Sequence, residues 1–540
     1  MENNSYLTII DEILPRMLGL IDRDRDSKTY GCCDRNFWMY KITDFSSGII
    51  QQCSLTLSLL YSNSDCFETG YLYLRREHKD YYKDIAIAVN RWTLKTVNHG
   101  SLDEYYFNEK SFPATVFTAY ALLKSSIILD DQYVLKSDKL NKIANFLCKK
   151  KPSLAANQDV AAAAYLWLYY NKINKSDKYL IQINNLLNRE EFGGEFNEYM
   201  GFDFGYATVT VNYLSYMLDD GFSDATKYIK KLSNVICCTA TSSPVVSGNI
   251  FSRNTSYYLP YAIEKIISLY PEKSKKLKNL SFSSVMSILD DRYMMHYFTP
   301  SIAYSAFTKK DTGIYDENSK DMESVSIINQ GGVVCITYEQ ITFIISLIKS
   351  GVFSVSSGKN HYCNNGYRLI NNGNIYSSSN ITSNLSENPV ISRDGDVITI
   401  TTYGVFSKYK TLYPSPFKTV ILRLISIFGS YLNLLFKRIL ITTPQILNES
   451  YFTRKVVVDL KQDSVVVKDL FDIPKNSTLH MSPNFSSRLV PSAKFYQESD
   501  LSENTVELDL HTSNIVTEIS LIGGNISTVY NTKHTKQPKD

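Results

Sequence analysis

Glu191–Tyr216 reads EFGGEFNEYMGFDFGYATVTVNYLSY, a polar loop that runs straight into an apolar, helix-periodic segment. The loop sets three carboxylates (Glu195, Glu198, Asp203) and two tyrosines (Tyr199, Tyr206) around a Gly-Gly pair. Loops carry chemistry when a rigid element anchors them, so this mouth of a helix is a place where several groups can meet one ligand. Outward from it, residues 1–310 repeat the same scheme of helix, polar loop, helix. Ile49–Tyr61, Ser111–Asp130, Asp159–Tyr170, Thr208–Leu218 and Tyr258–Tyr270 all have helical spacing. Ser111 followed by Pro113 is a helix start. The small residues of Asp159–Tyr170 (DVAAAAYLWLYY) let helices approach closely. No fixed period runs through these segments, which excludes a solenoid. Many helices with polar connections predict a helical toroid or a large bundle.

The character changes after Thr308–Ser324 (TKKDTGIYDENSKDMES), and the polar stretch predicts a linker at 311–325. Gly331–Ser357, Val397–Tyr403, Thr453–Leu460, Ser464–Leu470 and Asn514–Ile522 contain short β-branched runs with Asn, Gly, Ser and Asp between them. Such runs predict an antiparallel β-sandwich over 326–530, with a disordered tail at 531–540. The fold class is α+β multidomain. Lys418–Thr442 (KTVILRLISIFGSYLNLLFKRILIT) breaks the β-branched pattern. It is apolar, but Arg423, Asn433, Lys437 and Arg438 punctuate it. A spanning helix wants about 20 mostly apolar residues with few charges. The segment predicts an amphipathic helix or helical hairpin inserted at 418–442. It either packs on the sandwich or touches a membrane surface peripherally.

Composition narrows the function. The 540 residues hold 57 Lys and Arg against 54 Asp and Glu, a net charge of +3, too balanced for a general nucleic-acid binder. Forty tyrosines suit either glycan sites or ordinary cores. The nine cysteines include two adjacent pairs and no CxxC spacing, so neither a metal nor a cofactor is expected. Reduced thiols and the lack of a basic, then apolar, leader in MENNSYLTIIDEILPRML predict a cytoplasmic location.

Five further polar clusters flank predicted helices. They are YGCCDRNFWMY (30–40); HGSLDEYYFNEKSF (99–112), with Glu104 and Tyr106; Asn157-Gln158; SRNTSYYLP (252–260), with Arg253, Asn254 and Tyr257; and DDRYMMHYF (290–298), with Arg292 and His296. Asp and Asn before helices are also ordinary caps, and Asp-Arg pairs often only fix loops. His361, in GKNHYCNNGYRL, is a further candidate from the β domain.

In order along residues 15–300, YGCCDRNFWMYKITDF, SLDEYYFNEKSFPATVFT, NQDVAAAA, GGEFNEYMGFDFGYATVT, SRNTSYYLP and DDRYMMHYF resemble the heparinase II/III-like family of polysaccharide lyases. The resemblance is to members that accompany bacterial surface-polysaccharide clusters (capsule or O-antigen). It implies an incomplete (α/α) toroid, a β-sandwich and a cleft between them, and it implies cleavage by β-elimination at a uronic acid. On that likeness Tyr206 is the first candidate for proton transfer, then His296 and Tyr257, while Arg253, Asn254 and Asn157 hold the carboxylate. Tyr106, Glu198, Tyr199, Arg292 and His361 complete the expected substrate-binding set. The chain departs from the family in offering Asp203 and Tyr206 where its helix-start motif has His or Asn. An acidic rim suits a neutral or amino sugar, and this keeps a glycoside hydrolase using Glu104 and Asp203 as the alternative. A non-catalytic glycan-binding or assembly factor at the inner membrane is the third reading.

Overall fold

The computed structural model describes residues 5–67, 70–240, 248–273, 277, 280, 290–308, 326–338, 341–357, 360–381, 389–408, 415–427, 445–474, 477–481, 506–508, 514–522 and 525–533. An N-terminal helical region is followed by an antiparallel, sheet-rich region.

Six helices, Cys53–Ser62, Phe112–Leu129, Ala156–Lys172, Phe204–Asp219, Pro260–Leu269 and Phe298–Phe307, each pack on the next, and the last packs back on the first. Their sequences explain the arrangement. Phe112–Leu129 and Phe204–Asp219 bury side chains on every side, as a helix that is apolar all round must. Ala161–Ala164 are all buried and bring Ala156–Lys172 close to two neighbours. Lys79–Thr96, Asp177–Asn188 and Ala225–Thr239 pack on these six and bury one face only. Small hydroxyls satisfy the polar groups caught between helices: the Thr56 hydroxyl donates to that of Thr299 at 2.9 Å, and Ser301 donates to Asn212 at 2.9 Å. Phe112–Leu129 is long and apolar enough to cross a membrane, yet 72% of it is buried. Its ends follow the sequence: the Ser111 side chain caps the start, and Asp130 turns left-handed at φ 53° to end it.

In the second region, five strands from Ser326–Gln330 to Asn360–Asn364 pair antiparallel in chain order. A ten-stranded sheet is centred on Val397–Lys408, Gln445–Asp459, Ser464–Asp472 and Asn514–Ile522. Alternate residues of the two sheets meet in one apolar layer: Ile336, Phe343 and Val355 from the first, Ile400, Val456 and Val467 from the second. Beneath it lies an ion pair with no exposure. Arg454 binds Asp469 through Nε and Nη2, at 2.7 Å each, and gives Nη1 to the Gly351 carbonyl at 2.6 Å.

The two regions share a core, since Val333, Cys335, Ile344 and Val352 pack with the helical residues. The turn at Gly331 is one close approach between them. Its carbonyl accepts from Phe202 N at 2.7 Å, its φ is +61°, and a Cβ there would sit 2.7 Å from Asn197 Oδ1 and 2.8 Å from Phe202 Cβ. Only glycine fits. The buried Lys349 crosses the same boundary, donating to the Asn249 carbonyl at 2.8 Å and to Asn254 Oδ1.

Three expectations meet the structure unevenly. The predicted linker at 311–325 lies outside the described residues. The tail predicted as disordered from 531 is strand as far as Lys533, because Asn514–Lys533 form one hairpin with Asn514 opposite Lys533; 534–540 lie outside the described residues. At 418–442 a helix does interrupt the sheet, spanning Pro416–Ile427 between two paired strands, and 428–444 lie outside the described residues. Among the described side chains of that helix, Phe417, Val420, Ile421 and Leu424 face solvent.

Candidate functional site

The loop Arg189–Asp203 is built on buried charge. Arg189, left-handed at φ 49° and fully buried, pairs with Asp159 and gives hydrogen bonds to the carbonyls of Ser153 and Glu195, both at 2.8 Å. The loop then folds back, with Tyr199 N donating to the Leu154 carbonyl at 2.6 Å. This places Glu198 over the start of Ala156–Lys172, where its carboxylate accepts from Asn157 N at 2.9 Å. A carboxylate at a helix N-terminus is ordinarily stabilised as the anion. Here burial dominates and pushes its pKa up to about 8; Asn157 and Arg253 pull the other way, and Asp203 adds to the rise. Glu198 is therefore protonated at neutral pH.

Asp203 caps the next helix. One carboxylate oxygen accepts from Tyr206 N at 3.1 Å and from the Thr255 hydroxyl, while the other accepts from Arg253 N at 2.9 Å and Thr255 N at 3.5 Å. Burial raises its pKa against these bonds. The same carboxylate thus fixes the helix start and the Ser252–Thr255 loop. That lets one loop carry Tyr206 and the other carry Arg253 to a common place.

The Arg253 guanidinium lies 4.5 Å from the centre of the Tyr199 ring. None of its side-chain nitrogens donates a hydrogen bond among the described residues, and Nε is buried without a partner. Its pKa rises although burial alone would lower it, through the fields of Tyr206, Tyr199, Asp203 and Glu198. Tyr206 is half-buried. Burial pushes its hydroxyl up to about 12, Arg253 lowers it, and Glu198 and Asp203 raise it. Behind Tyr206 stands an aromatic wall: Tyr257 at 6.0 Å between ring centres, then Tyr297, whose hydroxyl is 3.3 Å from that of Tyr257. His296 follows, 4.0 Å from the Tyr297 ring and against Phe117 and Tyr293. Burial first, and Arg292 second, hold its pKa well below the usual histidine range, so the ring is neutral, and its Nδ1 has no partner among the described residues.

Arg292 joins this group to a second one. It donates to Glu104 Oε1 and to the Tyr105 hydroxyl at 3.2 Å, while Glu104 also accepts from the Ser111 hydroxyl at 3.0 Å. Glu104, Tyr105 and Arg292 border a cavity of about 330 Å³ whose other walls include Asp34, Arg35, Thr43, Phe45 and Asp291. Three stretches far apart in the chain therefore meet at one opening, with the Tyr206–Arg253 pair beyond Tyr293.

The sequence-predicted residues fall into three groups. Tyr206, Arg253, Tyr199, Glu198, Asp203, His296, Tyr257 and Arg292 are brought together. Within that set, Asp203 has every visible acceptor occupied by protein donors, and Tyr257 is fully buried, so neither is placed as a catalyst. Asn157 is buried beside Glu198, and both its backbone and its side chain lower the Glu198 pKa. Asn254 is turned left-handed and ties down Lys349 of the sheet region instead of facing the opening. Tyr106 is half-buried with its pKa raised by burial, next to Glu109 and Asp103. His361 is not in the cluster: it lies on the edge strand Asn360–Asn364, and burial alone lowers its pKa to about 4. Sequence reasoning missed Tyr293, Tyr297 and Lys349. The signal for Lys349 was present, a lone cation in an apolar run, FIISLIKSGVF. Among the described residues, no three His, Cys, Asp or Glu side chains converge as metal ligands would. No protein-family model matches the chain, and no curated protein matches its sequence.

Proposed function

We propose that the chain is a carbohydrate-active enzyme that cleaves an acidic polysaccharide by β-elimination at a uronic acid, on an (α/α) toroid joined to a β-sandwich. The ring of six helix contacts and the apolar layer shared by two sheets support that architecture. The observation that carries the function is the pairing of an unengaged Arg253 guanidinium with the half-buried Tyr206 hydroxyl.

The chemistry asks for three things. The uronate carboxylate must be neutralised so that the C5 proton can leave, a base must take that proton, and an acid must protonate the departing oxygen. Arg253 offers a fixed cation whose side-chain donors are unclaimed, and the protonated Glu198 leaves the surroundings less anionic than the sequence suggests. Tyr206, protonated at neutral pH, gives its proton to the leaving oxygen. His296, neutral and with a bare Nδ1, is the acceptor for the C5 proton; reaching it takes a shift of the Tyr293 and Tyr297 rings beside it. The hydrolase reading is disfavoured because it needs two available carboxylates. Asp203 is occupied as a cap, and Glu104 is clamped by Arg292 and Ser111.

Incubation with uronate-containing surface polysaccharides, followed by the absorbance of the unsaturated product, tests the reading. Tyr206→Phe is expected to lower the rate on the order of 10²- to 10⁴-fold. An undiminished rate removes Tyr206 from the chemistry, and new reducing ends without that absorbance favour hydrolysis.

A further inference from the structure

A second cavity, of about 570 Å³, shares no lining residue with the first. It opens between the Ser27–Tyr30 loop, the last turns of Lys79–Thr96, and Tyr133, Ser137 and Lys139. Its walls carry Lys28, Arg91, Lys95 and Lys139 and no Asp or Glu. That is a local excess of four cations in a chain whose net charge is only +3. The walls are fixed in place. Gly31 turns at φ +89°, and a Cβ there would sit 2.2 Å from the Ala88 carbonyl oxygen, so the loop lies directly on the helix. Ser27 and Thr29 both donate to Asp22 Oδ2 at 2.6 Å. Lys139 closes the helix end by donating to the carbonyls of Leu94 and Lys95, at 2.8 and 3.0 Å.

Arg91 and Lys95 are exposed and stand one turn apart on one helix face. The Arg91 guanidinium lies 5.3 Å from the centre of the Tyr133 ring, which is 66% exposed. Asp131 approaches Arg91 only to 3.8 Å, from a buried position, too far for a hydrogen bond. Lys95 lies over the Trp92 ring at 5.1 Å, and Trp92 in turn packs on Phe37 at 5.9 Å between ring centres. The stretch Tyr30–Asn36 links the two cavities, since Tyr30 borders this one and Cys33–Asn36 border the 330 Å³ one.

We propose that this cavity is a second binding site for an acidic glycan, separate from the Tyr206–Arg253 cluster. Sugar carboxylates meet Arg91, Lys95 and Lys28 in charge-assisted hydrogen bonds, and Tyr133 offers an aromatic face to a sugar ring. Its volume suits a short oligosaccharide, whereas nucleic acid asks for a longer basic stripe. A chain that fills both cavities is held at two places and gains affinity from the linkage. The choice of a glycan rests on the reading proposed above; the selection of an anion rests on the cavity alone.

Calorimetric titration of the full chain with oligogalacturonate, alginate and hyaluronan hexasaccharides tests the proposal, with maltohexaose as the neutral control and a six-nucleotide single-stranded DNA as the other anion. Wild type is expected to bind at least one acidic hexasaccharide, less tightly at high salt, and to ignore maltohexaose. Arg91→Ser/Lys95→Ser is expected to weaken that binding on the order of tenfold or more. Both positions are exposed, and an unchanged circular dichroism spectrum checks the fold. Arg253→Ala is expected to keep the binding. Binding lost with Arg253→Ala and kept by the double variant overturns the second site and leaves the cleavage reading standing. Cavity binding without any unsaturated product does the reverse. No binding of any acidic hexasaccharide, or tighter binding of the DNA, also overturns the proposal.

Discussion

Arg454 and Arg253 are both withdrawn from bulk water, and they differ in what surrounds them. Arg454, in the sheet region, gives two hydrogen bonds to Asp469 and one to the Gly351 carbonyl, lies over Phe353, Tyr367 and Phe452, and is fully buried. Asp469 in turn accepts from the Tyr367 hydroxyl. Arg253, in the helical region, rests on one tyrosine ring, and among the described residues its side-chain donors make no hydrogen bond. A buried charge with every partner present holds a fold together. A charge of the same type without partners is carried at a cost, and it gains its partner when a ligand arrives.

The largest test of that contrast is Arg454→Ala, which strands Asp469. It is expected to cost about 3–5 kcal/mol in chemical denaturation. Asp203→Ala comes next, losing a cap and the tether of the Arg253 loop together, at about 2 kcal/mol or more. Glu198→Gln sharpens the comparison through pH. A carboxyl raised to about 8 in the fold keeps a proton that the unfolded chain has lost, so wild-type stability falls as pH rises from about 4.5 toward 8. The fall is on the order of 1 kcal/mol per pH unit. Denaturation midpoints of the Gln variant are expected to lack that slope; a slope equal to wild type means that Glu198 is ionised in the fold. Arg253→Ala is expected to have the smallest effect on stability, about 1 kcal/mol or less. A loss as large as that of Arg454→Ala erases the distinction between the two arginines.

Helix positions were legible because core-facing periodicity and caps are local. Ser111, Pro113 and Asp130 frame Phe112–Leu129 as their residue types demand. The change from helix to strand was legible too: Phe298–Phe307 is the last helix before the first strand, which begins at Ser326. The roles of the carboxylates were not. Asp203 and Glu198 look like catalysts when counted with Tyr206, but whether a carboxylate is free depends on donors brought from residues 157, 253 and 255 by tertiary folding. The same reason hid Tyr293 and Tyr297, which are ordinary aromatics until the chain places them beside His296. The apolar Lys418–Thr442 stretch was visible because a long apolar run stands out among short β-branched ones.

Ring closure has a consequence for synthesis. The Tyr6 hydroxyl donates to Glu264 at 2.8 Å, 258 residues further along the chain, and the first helix, Ser5–Gly19, packs on Phe298–Phe307. A ribosome must therefore release nearly the whole helical region before that helix reaches Glu264 and Phe298–Phe307, although its Asp11 already accepts from the amides of Leu72, Tyr73 and Leu74. Until then the apolar side of that helix, with Leu7, Ile10 and Leu14, lacks the cover that Phe298–Phe307 supplies. Such distant pairings slow folding and favour a chaperone during translation.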